Sequence, residues 1–206
     1  MKNYSIKGLM KKIAIFGGSF NPPGIHHIEI VKNLSRYFDE VIVVPCGTRP
    51  DKPGVGAIPA IHRIKMAEMA FGNMPKVRLD CLDLEKNIYR RTHELQSFYE
   101  DEGEIWHVVG GDIIAGGGRG ESLIQKIWER GIKMWNELNF AVLPREGIQF
   151  DDCDLPPKNK LYYVRRQGSS SKIRKKISAG ESIKGLVLKK IENYIIENKL
   201  YVSSGG

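Results

Sequence analysis

The sequence predicts an α/β protein with a Rossmann-like, doubly wound, mostly parallel sheet, and three observations lead there. Short, largely apolar runs recur at Ile13-Ala14-Ile15-Phe16, Val41-Ile42-Val43-Val44, Ile105-Trp106-His107-Val108-Val109 and Phe140-Ala141-Val142-Leu143. Such runs suit strands buried on both faces of a parallel sheet. Helical periodicity fills the intervals between them. Glycine-bearing, charged and hydroxyl-rich motifs fall at or just after the ends of the runs, where ligands bind in sheets of this kind.

Taken in order, residues 1–9 are polar and aperiodic and are expected to form a loose arm, with a single domain over 10–202 and a frayed tail at 203–206. The first strand runs into Gly17-Gly18-Ser19-Phe20-Asn21-Pro22-Pro23-Gly24-Ile25-His26-His27. Two glycines let the backbone approach a ligand, and the helix that follows offers unpaired N–H groups in its first turn, so the turn is suited to an anion. Ile30, Leu34, Tyr37 and Phe38 give that helix one apolar face. Pro45 ends the second strand, and residues 47–59, rich in Gly, Pro, Arg and Lys, are expected to be a surface loop.

A helix is expected over 60–70, with Ile61, Ile64, Met66 and Met69 mostly in the core, then an edge strand over 77–84 and a helix over 89–99. The next strand delivers Gly110-Gly111-Asp112; the aspartate suits either a ligand or a helix cap. Four glycines in residues 116–120 forbid a stable helix and leave two readings, a flexible loop near the site or a surface insertion. Residues 149–159 read as a surface linker and 161–164 as the last strand, which feeds Ser169-Ser170-Ser171-Lys172-Ile173-Arg174. Three hydroxyls at a helix start can cap it and donate to phosphate, and Arg174 adds a permanently charged fork. Val187, Ile191, Tyr194 and Ile195 mark a closing amphipathic helix.

Bulk properties narrow the class. A hydrophobic fraction of 41% with 27% charged residues is that of a folded domain, and no apolar run reaches the length of a bilayer span, so the cytoplasm is the expected location. Cys46, Cys81 and Cys153 are scattered, which argues against a zinc site or a disulfide framework. The net charge of +8 suits anionic partners, and its even spread favours nucleotides over nucleic acid. Oligomeric state is left open, a homo-oligomer included.

The paired motifs match neither the P-loop nor the Gly-x-Gly-x-x-Gly fingerprint. They resemble the nucleotidylyltransferase superfamily, whose first loop reads Gly-Gly-Ser/Thr-Phe-Asp/Asn-Pro-x-His-x-Gly-His and whose late motif reads Ser-Ser/Thr-x-Ile-Arg. Within it the chain is most similar to nicotinamide/nicotinate mononucleotide adenylyltransferases. The resemblance implies transfer of AMP from ATP, with Mg2+, to the mononucleotide, giving a dinucleotide and pyrophosphate; transfer to phosphopantetheine, use of CTP, or a nucleotide-binding protein without turnover are the alternatives. It implies catalytic roles for His27, Arg174, His26 and Lys52, with Arg49 beside the last, and no set of protein side chains is assigned to a metal. ATP and phosphate contacts would come from Gly17, Gly18, Ser19, Phe20, Asn21, Gly111, Asp112, Ser169, Ser170, Ser171 and Ile173, and acceptor contacts from Trp128, Arg145 and Thr92, with Tyr89 near the last.

One departure stands out. The family's His-x-Gly-His reads Gly24-Ile25-His26-His27 here. Two residues along a helix separate side chains by about 200° around the axis, so His26 is not expected to replace a side chain at residue 24 unless the turn is remodelled. His27 is expected to carry the larger catalytic share.

Overall fold

The structure, a computed structural model, describes residues 10–47, 58–144, 147–165 and 168–202. The expected arm, the expected tail, Arg49, Lys52 and Arg145 lie outside the described residues.

Among the described residues, six strands form one sheet, and every neighbouring pair is parallel. They are β1 (Lys12–Gly18), β2 (Glu40–Pro45), β3 (Val77–Leu79), β4 (Glu104–Gly110), β5 (Asn139–Leu143) and β6 (Asn159–Leu161), in the order β3-β2-β1-β4-β5-β6. The helices are α1 (Ile25–Leu34), α2 (Ala60–Phe71), α3 (Leu82–Glu85), α4 (Thr92–Tyr99), α5 (Gly111–Ile114), α6 (Leu123–Ile127), α7 (Gly131–Glu137), α8 (Ser170–Ser178) and α9 (Lys189–Glu197).

Alternation along the strands sends side chains to both faces, which is why the runs had to be apolar throughout. Ala14 and Phe16 of β1, with Val41 and Val43 of β2, join the core shared with Ile28, Val31 and Leu34 of α1, Met66 and Ala67 of α2, and Ile191 and Ile195 of α9. Ile13, Ile15, Ile42, Val44 and Ile105 face the other way, against Leu95 and Tyr99 of α4. A third cluster sets Val109, Phe140 and Val142 against Ile114, Ile124 and Trp135. The sheet is thus covered on both faces, and its strand order reverses between β1 and β4, where ligands bind in doubly wound folds.

Several expectations change in detail. Tyr37 and Ile61 are exposed, because α1 stops at Leu34 and Ile61 lies on the outer side of α2. The strand expected over 77–84 ends at Leu79: the Asp80 carboxylate accepts the Leu82 N–H at 2.9 Å, and this side-chain turn starts α3. The last strand is shifted to Asn159–Leu161 because it pairs with residues 140–142 of β5, and the chain leaves the ladder soon after. The helix expected from residue 89 begins at Thr92.

Residues 118–120 of the glycine segment are exposed, as the surface reading expects, but the segment is anchored at Gly117. Gly117 packs so closely that an added Cβ would lie 2.3 Å from Trp135 Cη2 and 2.5 Å from the Asp154 carbonyl. Asp154, expected in a surface linker, is buried and accepts the Gly118 N–H at 3.1 Å. Desolvation raises its pKa, but N–H donors from Gly118, Gly116 and Asp151 outweigh it and hold the carboxylate below its usual range.

Candidate nucleotide-binding site

The turn after β1 is built on ring packing. Phe20 adopts a left-handed backbone, φ 42°, which is unfavourable for a bulky residue, and its buried ring offsets that cost against Phe16 at 5.3 Å and Phe71 at 5.4 Å between centroids. Gly18 suits this arrangement, since a Cβ there would sit 3.0 Å from the Phe20 ring and the ring would have to give slightly. A Cβ on Gly17 would meet nothing within 4 Å, so packing does not demand that glycine. Its open side is where a ligand can come close to the backbone.

The late motif is braced directly against this turn. Ser170 Oγ donates to the Pro22 carbonyl at 2.8 Å, and Arg174 Nη1 donates to the Asn21 carbonyl at 2.7 Å while its Nη2 donates to Ser171 Oγ at 3.2 Å. The N-terminal ends of α1 and α8 therefore sit at one place, each presenting its first-turn N–H groups and positive dipole end. Ser169 occupies the cap position of α8 without a side-chain capping bond.

His27 is oriented by the same turn. The Gly24 N–H donates to His27 Nδ1 at 3.0 Å, so Nδ1 carries the lone pair and the neutral ring bears its proton on Nε2. That leaves Nε2–H as a donor. The Phe20 ring meets the imidazole edge-on at 5.0 Å and the His26 ring lies 3.9 Å from it. His26 does not follow the expected angular separation from Gly24: its ring folds back until it fills the space beside that glycine. The helix start itself is ordinary: Gly24 is the cap of α1 with an extended backbone, φ −94° and ψ 166°, so helical angular spacing does not apply to it and the imidazole can lie on its side.

Three residues assigned to the nucleotide have buried side chains. Phe20, Asn21 and Ile173 are at most 2% exposed as whole residues, so in this structure they shape the site by packing and do not face a ligand. Asn21 acts as a hub, taking Arg174 on its carbonyl and the Tyr201 hydroxyl on Oδ1, while Ile173 packs toward Gly24. Across the switch point, Gly110 holds the cap position of α5 and Asp112 lies inside its first turn, which removes the N-cap reading of the aspartate. Gly111 is needed for packing, because a Cβ there would approach the Phe150 ring to 2.9 Å.

Sequence reasoning missed Arg63 and Tyr201. Arg63, buried on α2, donates through Nη2 to the Ser19 carbonyl at 2.7 Å and the Cys46 carbonyl at 2.5 Å, tying the glycine turn to the end of β2. Burial lowers its pKa, although it remains a cation at any ordinary pH. Its signal was a charged residue in register with Ala67 and Ala70 on the apolar side of α2. Tyr201, raised in pKa by burial, lies near both Arg63 and Arg174, and nothing local in the sequence marks it.

Of the residues assigned to an acceptor, Thr92 and Trp128 are brought together through their neighbours. Arg91 and His93 on either side of Thr92 both face Glu129, His93 Nε2 at 3.8 Å, so the residue after Trp128 is tied to the start of α4. Trp128 is half-buried against the third cluster. Behind Thr92, Arg90 donates through Nε to Asp83 at 2.5 Å and through Nη2 to Asp80 at 2.6 Å, and the Tyr99 hydroxyl also reaches Asp80.

A sequence profile of the cytidylyltransferase-like family matches residues 15–176. The chain belongs to the cytidylyltransferase-like family. The family match spans both braced motifs, from within β1 through most of α8. Relatives of this cytidylyltransferase-like chain include the "Probable nicotinate-nucleotide adenylyltransferase" of Acholeplasma laidlawii, 31% identical over 92% of this chain and 97% of the relative. The protein of the same description from Clostridium acetobutylicum is 31% identical over 94% of this chain and all of the relative. Among solved structures, the Plasmodium falciparum nicotinic acid mononucleotide adenylyltransferase complexed with NaAD superposes with a TM-score of 0.75 at 24% identity, covering 93% of this chain and 97% of that one. At that identity the likeness speaks to the fold.

Proposed function

We propose that the protein is an adenylyltransferase that joins the 5′-phosphate of nicotinate mononucleotide, or of its nicotinamide counterpart, to the α-phosphate of ATP. The observation that carries this reading is the bracing of the Ser169–Arg174 segment onto the glycine turn, which gathers two helix N-termini, His27 and Arg174 at the switch point of the sheet. Full-length relatives described as nicotinate-nucleotide adenylyltransferases support the choice of acceptor class.

The chemistry asks little of a protein nucleophile. An oxygen of the ionised acceptor phosphate attacks the α-phosphorus, the bond from that phosphorus to the α–β bridging oxygen breaks, and pyrophosphate leaves with the electron pair. The protein's task is to hold two anions in line and to stabilise charge on the transferred and leaving groups. The N–H groups of the glycine turn and of α8, the Nε2–H of His27 and the fork of Arg174 suit that task. Thr92 and Trp128 would flank the pyridine ring of the acceptor.

Magnesium fits as an ion that arrives with the nucleotide. No cluster of three or more His, Cys, Asp or Glu side chains suited to a metal occurs among the described residues, and a phosphate-bound Mg2+ needs only one or two protein carboxylates. Asp112 would hold it or its water shell, and the ion would supply further positive charge beside the phosphates.

The deciding experiment is pyrophosphate release with ATP and Mg2+ across nicotinate mononucleotide, nicotinamide mononucleotide and phosphopantetheine, with CTP in a parallel series. Turnover confined to the first two acceptors with ATP is the expected result. Turnover with phosphopantetheine alone, or with CTP alone, would replace this reading.

A further inference from the structure

Two glycines from opposite ends of the chain are shaped around one imidazole. A Cβ on Gly24 would lie 2.5 Å from both Cε1 and Nδ1 of His26, and a Cβ on Gly168 would lie 2.4 Å from Nδ1 and 2.6 Å from Cγ of the same ring. With His26 in this seat, neither position admits another residue without displacing it. The seat is bounded by the first loop on one side, by the residue leading into α8 on the other, and by the His27 ring at 3.9 Å.

An aliphatic side chain would fill a slot of this size as well, so the choice of an imidazole draws attention to the chemistry of its ring nitrogens. This one is 9% exposed and stands in the first turn of α1, between the two loops that Ser170 and Arg174 lock together. We infer that His26 supplies an N–H to a phosphate group of the bound nucleotide from the side of residue 24, and that Gly24 and Gly168 are the clearance that lets its ring lie there. The inference rests on the nucleotidyl-transfer reading of the site. It also converts an apparent loss at residue 24 into a relocation: the imidazole is borne by the helix turn and the glycine by the cap.

The test separates donor from filler. His26→Leu keeps apolar volume and removes the N–H groups, whereas His26→Gln keeps a donor; Gly168→Ala leaves the histidine intact and crowds its ring. The fourth variant is the double exchange Gly24→His with His26→Gly, compared with each single change. Each is measured for pyrophosphate release with nicotinate mononucleotide and for ATP affinity by calorimetry with Mg2+, with a melting curve as the check of folding.

Loss of one transition-state donor lowers turnover by about 10²-fold, the result expected for His26→Leu, with His26→Gln retaining at least about tenfold more. Gly168→Ala is expected to fall with His26→Leu, and the double exchange to exceed both of its single changes. Leu equal to or better than Gln at residue 26, or a double exchange no better than the worse single change, overturns the inference. A wild type that releases no pyrophosphate with any acceptor would sink the proposed reaction, and the ATP titrations would still decide the role of His26. Equal ATP affinity across the set in that case, or no binding of ATP by the wild type, would overturn the inference as well.

Discussion

Arg174 braces the glycine turn, and on the proposed reading it also meets phosphate; the two roles can be pulled apart. Its guanidinium is fixed by the Asn21 carbonyl and Ser171, and the same rigid fork carries five N–H donors, more than these two bonds use. A lysine can keep one hydrogen bond and the charge, but its ammonium cannot brace the turn and meet phosphate in one plane. Arg174→Ala is expected to reduce kcat by about two to three orders of magnitude in a protein that still folds. Arg174→Lys is expected to recover the melting temperature without recovering the rate. Steady-state rates near wild type in either variant would show that the fork does not touch the reacting phosphates.

Motifs built of adjacent residues were legible in the sequence. The glycine turn, the hydroxyl run with Arg174, and His27 announce themselves because anion binding at a helix start needs adjacent residues. Arg63, Tyr201 and Asp154 were not legible, because each takes its meaning from a distant segment: Arg63 from Ser19 and Cys46, Tyr201 from Asn21, Asp154 from Gly118. The seat of His26 was misjudged for a related reason, since ideal helical spacing knows nothing of the space opened by Gly168, more than a hundred residues away. The boundaries of β3 and β6 escaped because an edge strand ends where its neighbour stops pairing and not where its own alternation ends.

At the scale of elements, the segment between β3 and α4 depends on one buried cation. Arg90 joins Asp83 by two bonds, one from its backbone N–H at 3.0 Å and one from Nε, and Asp80 by a third, and its side chain and that of Asp83 are almost wholly removed from water. Desolvation pulls the pKa of Arg90 down, but the two carboxylates more than reverse this; desolvation likewise raises Asp80, while Tyr99 and Arg90 hold it below the usual carboxylate range. Removing the cation would strand both carboxylates, so Arg90→Ala is expected to cost about 3–5 kcal/mol of stability. Denaturant unfolding measures this, and a cost below about 1 kcal/mol would show that water enters and replaces the arginine. Because Thr92 opens the helix that follows, a surviving variant is also expected to show a raised KM for the acceptor with ATP affinity unchanged.

At the scale of the whole molecule, stability is expected to respond to pH through a residue at the centre of the sheet. His107 on β4 lies between Ile15 of β1 and Phe140 of β5, with its Nε2–H donating to Gln96 at 3.0 Å, and desolvation pushes its pKa down to about 4. In the unfolded chain an ordinary histidine titrates near pH 6.5. Between about pH 4 and 6.5 the unfolded state therefore binds the proton that the folded state refuses, so this residue makes stability increase with pH across that window and level off above it. The contribution amounts to roughly 3 kcal/mol between the two ends. Unfolding free energies measured from pH 4 to 8 are expected to rise through that interval in the wild type, and the rise is expected to be smaller by about that amount in His107→Gln, which keeps a donor for the bond to Gln96 but cannot titrate. The comparison of slopes matters more than that of absolute stabilities, since any cost of replacing the ring is the same at every pH. Identical pH dependence in the two proteins would mean that the sheet opens enough to hydrate a charged imidazole, and that the centre of β4 is less tightly closed than its apolar neighbours imply.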